Sequence, residues 1–393
     1  MRNPQIFIFT EVSVAGKYGI GTYIKQIIQN ISKYYNITLV SLFSNIEHIV
    51  EEKYLGINHI LIPHDQNSYS EKEELRYYKR IIFILKNNYV KNNIVYFHLN
   101  NPNKSLFSLL KESFKSSKII YTLHYIGWKA YIKHDINHID EILYNDELSD
   151  VIYRDQQCLS YCDVIITLSE SSYEILKTVY QIDVHKIFCI PNAVEDIFNE
   201  KLSLQKTELK VKYGFSQDDE IILFVGRIVP NKGILELIEA FKKLLLEKPK
   251  LKLFLVGDGC FDLCIKHITP FFSKICFSGF IEREKIIEFY HMADIGVLPS
   301  HFEECSCVAL EMMAAKLPLV TTNVHGLIEL KNNKDICSFE LGDQKELELI
   351  ISKLLSDKIY SKKCSCERRE IYEEKYGLNI FIQNMLNVYN SII

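Results

Sequence analysis

Short, continuously apolar runs alternate with amphipathic stretches of helical length along the chain. Residues 5–10, QIFIFT, are β-branched, aromatic and few, which suits a buried strand. Residues 21–35 follow with Ile24, Ile27, Ile28 and Ile31 on one face, which predicts a helix. The same reading predicts strands at 37–43, 59–63, 93–98, 118–124, 164–168 and 187–190, and helices at 71–88, 103–117 and 170–180. The pattern breaks at Pro191-Asn192-Ala193-Val194 and stays polar to Asp219. It then restarts, with strands predicted at 220–226, 251–257, 275–279, 294–299, 317–322 and 335–339. Helices fit 233–247, 282–292, 307–315 and 343–355, and a last helical stretch runs from 360 to the end, interrupted near Gly377. Strands apolar throughout and alternating with helices mean parallel sheets covered on both faces. The expected class is α/β, two doubly wound Rossmann-like domains facing a central cleft lined by the carboxyl ends of their strands. The expected domains are 1–190 and 191–371, with a linker near 191–219 and the C-terminal helix 372–393 packing back on the first.

Composition narrows the classes. The 393 residues suit two domains at about 150 residues each. Hydrophobic residues at 48% and charged residues at 24% exclude disorder, collagen and coiled coil as whole-chain readings. The net charge of -4 gives no bulk argument for nucleic acid. The eleven cysteines are odd in number and include no C-x-x-C, so neither a disulfide framework nor a metal site is expected. MRNPQIFIFT is not a secretory signal, and no apolar run reaches membrane-spanning length. A cytoplasmic protein with reduced, mostly buried thiols is expected. Lys104, Lys111, Lys115 and Lys118 flank Leu106, Phe107, Leu109, Leu110 and Phe114. This helix reads as a sheet cover with a solvated lysine face, or as a peripheral contact with the inner membrane face.

The chemistry concentrates in two segments. In Gly226-Arg227-Ile228-Val229-Pro230-Asn231-Lys232-Gly233 a strand ends, two cations leave a short loop, and a helix begins. Cations beside a helix N-terminus make an anion site, with diphosphate the fitting guest; two solvated loop cations would look the same. In Pro299-Ser300-His301-Phe302-Glu303-Glu304-Cys305-Ser306-Cys307, Glu303 follows a strand, and Glu311 lies in the second turn of the next helix. The amides of 304–307 are available to an anion, and the carboxylates to hydroxyls; plain helix-dipole preference also places acids there.

Together these segments resemble the retaining glycosyltransferases of family 4, which have the GT-B fold. The family pattern is G-R-x-x-x-x-K-G, then V-G-x-G, then P-S-x-x-E-G-F-G-x-x-x-x-E-A-M-A-x-G-x-P. This chain offers Gly226-Arg227 with Lys232-Gly233, then Val256-Gly257-Asp258-Gly259, then Pro299-Ser300, Glu303, Glu311-Met312-Met313-Ala314 and Pro318. Phe277-Ser278-Gly279-Phe280 is similar to the family's strand beside the base, and Ile190-Pro191-Asn192-Ala193-Val194 to its interdomain segment. Gly16, Gly19 and Gly21 resemble its G-G-x-G turn, and His124 matches its histidine near the donor sugar, with His98 the weaker candidate. The glycine spacing is not that of a dinucleotide-binding dehydrogenase.

Several positions depart from the family. Its G-F-G becomes Glu304-Cys305-Ser306, the glycine two before Pro318 becomes Lys316, and V-G-G becomes Val324-His325-Gly326. Glu304 brings a negative charge near the diphosphate unless it points away. The long segment Tyr125–Tyr161 holds the single tryptophan, Trp128, with Tyr131, His134 and His138, and suggests a dedicated acceptor surface. The combination of His124-Tyr125 and Gly127-Trp128 with Glu303-Glu304-Cys305-Ser306 looks like a Bacteroidetes-type subgroup associated with peptide maturation.

The resemblance implies a hexosyltransferase using a nucleotide-diphosphate sugar, UDP-sugar favoured, with no cofactor and no metal. It implies Arg227, Lys232, Glu303 and His124 as catalytic. Gly19, Gly226, Gly257, Phe280, Glu304, Cys305, Ser306, Cys307 and Glu311 would bind donor, and Gly21 and Trp128 would face the acceptor. That acceptor would be a glycan, a peptide or protein, or a lipid-linked substrate; no nucleic acid is implied. A GT-B sugar-nucleotide epimerase and a non-catalytic nucleotide-sugar-binding subunit remain as alternatives.

Overall fold

The alternating apolar runs form two parallel sheets. The computed structural model describes residues 4–11, 19–64, 70–90, 94–131, 146–196, 204–330 and 337–392. The chain divides into two units: Met1–Pro191 together with Phe381–Ile393, and Asn192–Ile380.

In the first unit the strands are β1 (Gln5–Glu11), β2 (Asn36–Ser44), β3 (Val50–Tyr54), β4 (Ile57–Pro63), β5 (Val95–Leu99), β6 (Lys118–Leu123), β7 (Val164–Thr167) and β8 (Ile187–Cys189). Their order is β3-β4-β2-β1-β5-β6-β7-β8, parallel except for β3 against β4. Chain order runs outward from β1 in both directions, so the crevice expected of such sheets lies at the carboxyl ends of β1 and β5. Phe7, Phe97, Ile119 and Ile165 are fully buried on these central strands. The helix Gly19–Ile31 buries Tyr23, Ile24, Ile27, Ile28 and Ile31. The helix Glu71–Ile84 starts in a capping box made by Ser70 and Glu73. The helix Lys104–Ser113 buries Leu106, Phe107, Leu109 and Leu110, and Asp163 takes ion pairs from Lys111 and Lys118. That helix is a sheet cover, and its Lys111 is tied to the protein.

In the second unit the strands are β9 (Glu220–Val225), β10 (Leu251–Val256), β11 (Ile275–Gly279), β12 (Ile295–Leu298), β13 (Leu319–Thr322) and β14 (Ser338–Phe339). Their order is β11-β10-β9-β12-β13-β14, and every pairing is parallel. The crevice here falls at the carboxyl ends of β9 and β12.

Some elements differ from the pattern reading. The expected linker contains a helix, Lys206–Lys212, and two further helices, Asp146–Leu159 and Phe261–Ile268, were not anticipated. β3, Val-Glu-Glu-Lys-Tyr, is an exposed edge strand whose charges leave no apolar alternation to read. The last stretch is two helices, Lys358–Ile371 and Leu378–Ile392, separated by a π-helical turn and Gly377. Its residues up to Ile380 group with the second unit, and those from Phe381 with the first. No helix among the described residues is long and apolar enough to cross a membrane. All eleven cysteines are free thiols.

Candidate active site

The loop after β9 is shaped by one glycine. Gly233 has φ +66, and a Cβ there would lie 2.0 Å from the Pro299 carbonyl oxygen. Only glycine lets this turn press against the end of β12. The His301 N–H donates to the Asn231 carbonyl at 2.9 Å and closes the contact. This brings Lys232 and Glu303 together, with Nζ 2.5 Å from Oε1. Ser300 Oγ donates to the same oxygen at 2.9 Å. Both charged side chains are largely buried, at 18% and 14% exposure. Among the described residues Oε2 of Glu303 accepts no hydrogen bond. The Arg227 side chain, on the same loop, is exposed and makes no ion pair among the described residues.

The helix Cys307–Ala314 begins beside this pair. Ser306 is its N-cap, its Oγ accepting from the Ala309 N–H at 3.3 Å. The Cys305 carbonyl accepts from Asn192 Nδ2 at 2.8 Å. Glu304, Cys305 and Ser306 are all buried, and burial pushes the Cys305 thiol well above its usual range. The substitutions for the family's G-F-G therefore point inward rather than lying open on the surface. The turn at Gly326 closes over them: with φ +80, a Cβ on Gly326 would meet the Glu304 carbonyl oxygen at 2.3 Å. Glu311 is buried, and Tyr290 donates its hydroxyl to Oε2 at 2.7 Å. Cys307 opens the helix, half-buried.

The remaining donor-side positions cluster at neighbouring strand ends. The Gly226 N–H donates to Val256 O at 2.9 Å, and the Gly257 N–H to Gly279 O at 3.0 Å. Phe280, the next residue, is 57% exposed. Lys316 has φ +55, so a lysine occupies a left-handed position where the family carries glycine.

In the first unit, Gly19 opens the first helix and Gly21 lies within its first turn; Gly16 lies outside the described residues. His124, just past β6, is half-buried. Its Nε2 is 2.9 Å from Asn100 Oδ1, and the Tyr23 ring meets it edge-on at 5.0 Å. Burial lowers its pKa to about 3, so it is neutral. His98 is fully buried, with Nδ1 2.7 Å from the Tyr389 hydroxyl and Nε2 2.7 Å from Thr122 Oγ1. Both its nitrogens are occupied, which makes it a structural residue.

Trp128 corrects the expectation. It is 1% exposed and donates Nε1–H to the Tyr180 hydroxyl at 2.8 Å, so it is a core residue and offers no surface to an acceptor. His134 and His138 lie outside the described residues. Sequence reasoning missed Ser300, Tyr290, Asn192 and Asn100. Ser300 and Asn192 stood within recognised motifs, whereas Tyr290 and Asn100 act through contacts made only by folding. Among the described residues no group of three metal-ligating side chains occurs.

A lysine, a carboxylate with one open oxygen, a capped helix start and an exposed arginine thus gather at the switch point of the second sheet. That arrangement can take an anion and a hydroxylated group side by side. Residues 205–371 match the family model Glycosyl transferases group 1. The chain is 30% identical over 261 residues to an uncharacterized glycosyltransferase of Methanocaldococcus jannaschii, covering 63% of this chain and 65% of that one. It thus spans just under two thirds of that relative's length. Sucrose-phosphate synthase from Thermosynechococcus elongatus has the same fold, with a TM-score of 0.79 at 18% identity over 99% of both chains. Anabaena HepE, solved with UDP and glucose, gives a TM-score of 0.73 at 15% identity over 98% of this chain and 99% of that one. Two Rossmann-like α/β units of the GT-B type are thereby established.

Proposed function

We propose that this protein is a retaining glycosyltransferase. It moves a sugar from a nucleotide-diphosphate sugar, UDP-sugar favoured, to a hydroxyl on a glycan, a peptide or protein, or a lipid-linked acceptor. The observation that carries the reading is the Lys232–Glu303 pair beside the Ser306-capped helix, inside the segment matched by the family model. The UDP and glucose bound by the HepE structure favour the uracil nucleotide.

In this reading the diphosphate lies on Arg227, Lys232 and the amides at the start of the helix Cys307–Ala314. Glu303 holds donor-sugar hydroxyls through its open oxygen, and Glu311, oriented by Tyr290, holds the ribose. Gly226, Gly257 and Phe280 border the nucleotide, Gly19 approaches the donor, Gly21 serves the acceptor, and His124 is the catalytic histidine near the donor sugar. The bond from C1 to the phosphate oxygen breaks with its electron pair going to the phosphate. The acceptor oxygen forms the new bond to C1 on the same face, and its proton passes to the departing phosphate. Charge grows on the phosphate in the transition state, and the two cations stabilise it there. No divalent ion is needed, and the enzyme works in the cytoplasm. The resemblance of His124-Tyr125 and Gly127-Trp128, with Glu303-Glu304-Cys305-Ser306, to a Bacteroidetes-type subgroup favours a peptide-maturation acceptor.

The test is NMR of the transferred sugar in EDTA. The anomeric proton of the product should report the donor's configuration, and chelation should leave the rate unchanged. An inverted linkage, or activity restored only by Mn²⁺, would refute the mechanism.

A further inference from the structure

Asn100 lies just past β5, between the ends of β1 and β6, and is 2% exposed. Its Nδ2 donates to the Phe9 carbonyl at 3.0 Å. A backbone carbonyl only accepts, so this contact fixes which end of the amide is nitrogen. The other end, Oδ1, faces His124 Nε2 at 2.9 Å. An amide oxygen only accepts, so His124 carries its proton on Nε2. No other hydrogen bond to the His124 ring occurs among the described residues, so Nδ1 keeps its lone pair.

We infer that Asn100 is a positioning residue: it locks His124 as the neutral Nε2–H tautomer, so that His124 offers Nδ1 as an acceptor to a substrate hydroxyl. This deepens the proposed glycosyltransferase reading and rests on it for the substrate. The lock itself is a property of the first unit alone.

The surroundings agree. The Tyr23 ring stands edge-on to His124, and its hydroxyl is spent on Thr122 Oγ1 at 2.8 Å, so it does not compete for the imidazole. His98, whose charge is coupled to that of His124, is held by Thr122 and Tyr389. Burial keeps both histidines neutral, and the charge of either would oppose the other. A neutral imidazole with a fixed lone pair orients a hydroxyl without taking part in proton traffic, which leaves the proton to the departing phosphate.

The test uses the full chain with ¹⁵N-labelled histidine and two variants. Long-range ¹H–¹⁵N spectra of the wild type should show His124 as the Nε2–H tautomer from pH 5 to 8. In Asn100→Leu the tautomers should mix, and kcat should fall about 10-fold with little change in donor KM. Asn100→Asp keeps the shape but places a carboxylate on Nε2–H, which raises the imidazole pKa. Its kcat should acquire a new limb in the neutral range that the wild type lacks. An Nδ1–H tautomer in the wild type, or spectra and pH profiles unchanged in both variants, would overturn the lock. The spectra need no donor or acceptor. A locked tautomer with no sugar transfer by the wild type would therefore refute the glycosyltransferase reading and leave the lock standing.

Discussion

Lys232 and Glu303 neutralise each other in a largely buried setting, with Ser300 adding a donor to the shared oxygen. Glu303 thus arrives with one oxygen committed and one open, and Lys232 arrives desolvated. Desolvated charges act strongly on a group whose charge changes during reaction. Glu303→Gln keeps the shape and weakens the hydrogen bonds proposed for it to sugar hydroxyls, each worth about 1.5–3 kcal/mol when charged. We expect kcat/KM to fall at least about 10-fold with the fold intact. Steady-state kinetics beside a circular dichroism melt will check this, and wild-type kinetics in the variant would remove Glu303 from the site. The neighbouring Glu304 is buried, and the turn at Gly326 packs against its backbone carbonyl.

At the scale of elements, one arginine joins three pieces of the second unit. Arg369, on the helix Lys358–Ile371, pairs both oxygens of Asp196, Glu373 and the Ala314 carbonyl. It is 4% exposed, and Ala314 ends the helix that Ser306 begins. Arg369→Met should cost about 3 kcal/mol, because Asp196 and a helix-end carbonyl lose a buried partner. Urea unfolding measures this, and an unchanged midpoint would contradict it. This tie could not be read from the sequence: Asp196 and Arg369 are distant in the chain, and the helix faces that meet carry no local signal. Elements with strong apolar periodicity, such as 21–31 and 220–225, were legible because burial on one face dictates their composition. β3 and the helices Asp146–Leu159 and Lys206–Lys212 were not, because they are polar and owe their form to tertiary contacts. The cations and carboxylates of the site were legible through ordered motifs. Trp128 misled because a tryptophan in a long insertion looks like a recognition residue until its burial is seen.

At the scale of the molecule, two neutral histidines make stability depend on pH. His98 and His124 are both lowered by burial from 6.5 to about 3. Below pH 6.5 the unfolded chain takes up protons that the folded chain refuses. Stability is therefore full above about 6.5 and is lost as pH falls toward 3, by about 1.4 kcal/mol per pH unit for each histidine. His98→Gln should flatten the unfolding profile between pH 6 and 4.5 by one such increment, since carboxylates common to both proteins cancel. An unchanged slope would show that His98 titrates normally. The two Rossmann-like units with a charged site at the second sheet's switch point lead to one central claim: the second unit binds a nucleotide diphosphate through side-chain cations, without a metal. Calorimetric titration of UDP, GDP and ADP in EDTA, into the wild type and the Arg227→Ala/Lys232→Ala double variant, tests it most directly. The account predicts that the wild type binds UDP and that the double variant binds it at least about 100-fold more weakly, as expected when two charge-assisted contacts are lost. Failure of all three nucleotides to bind the wild type, or equal affinity in the double variant, would contradict it.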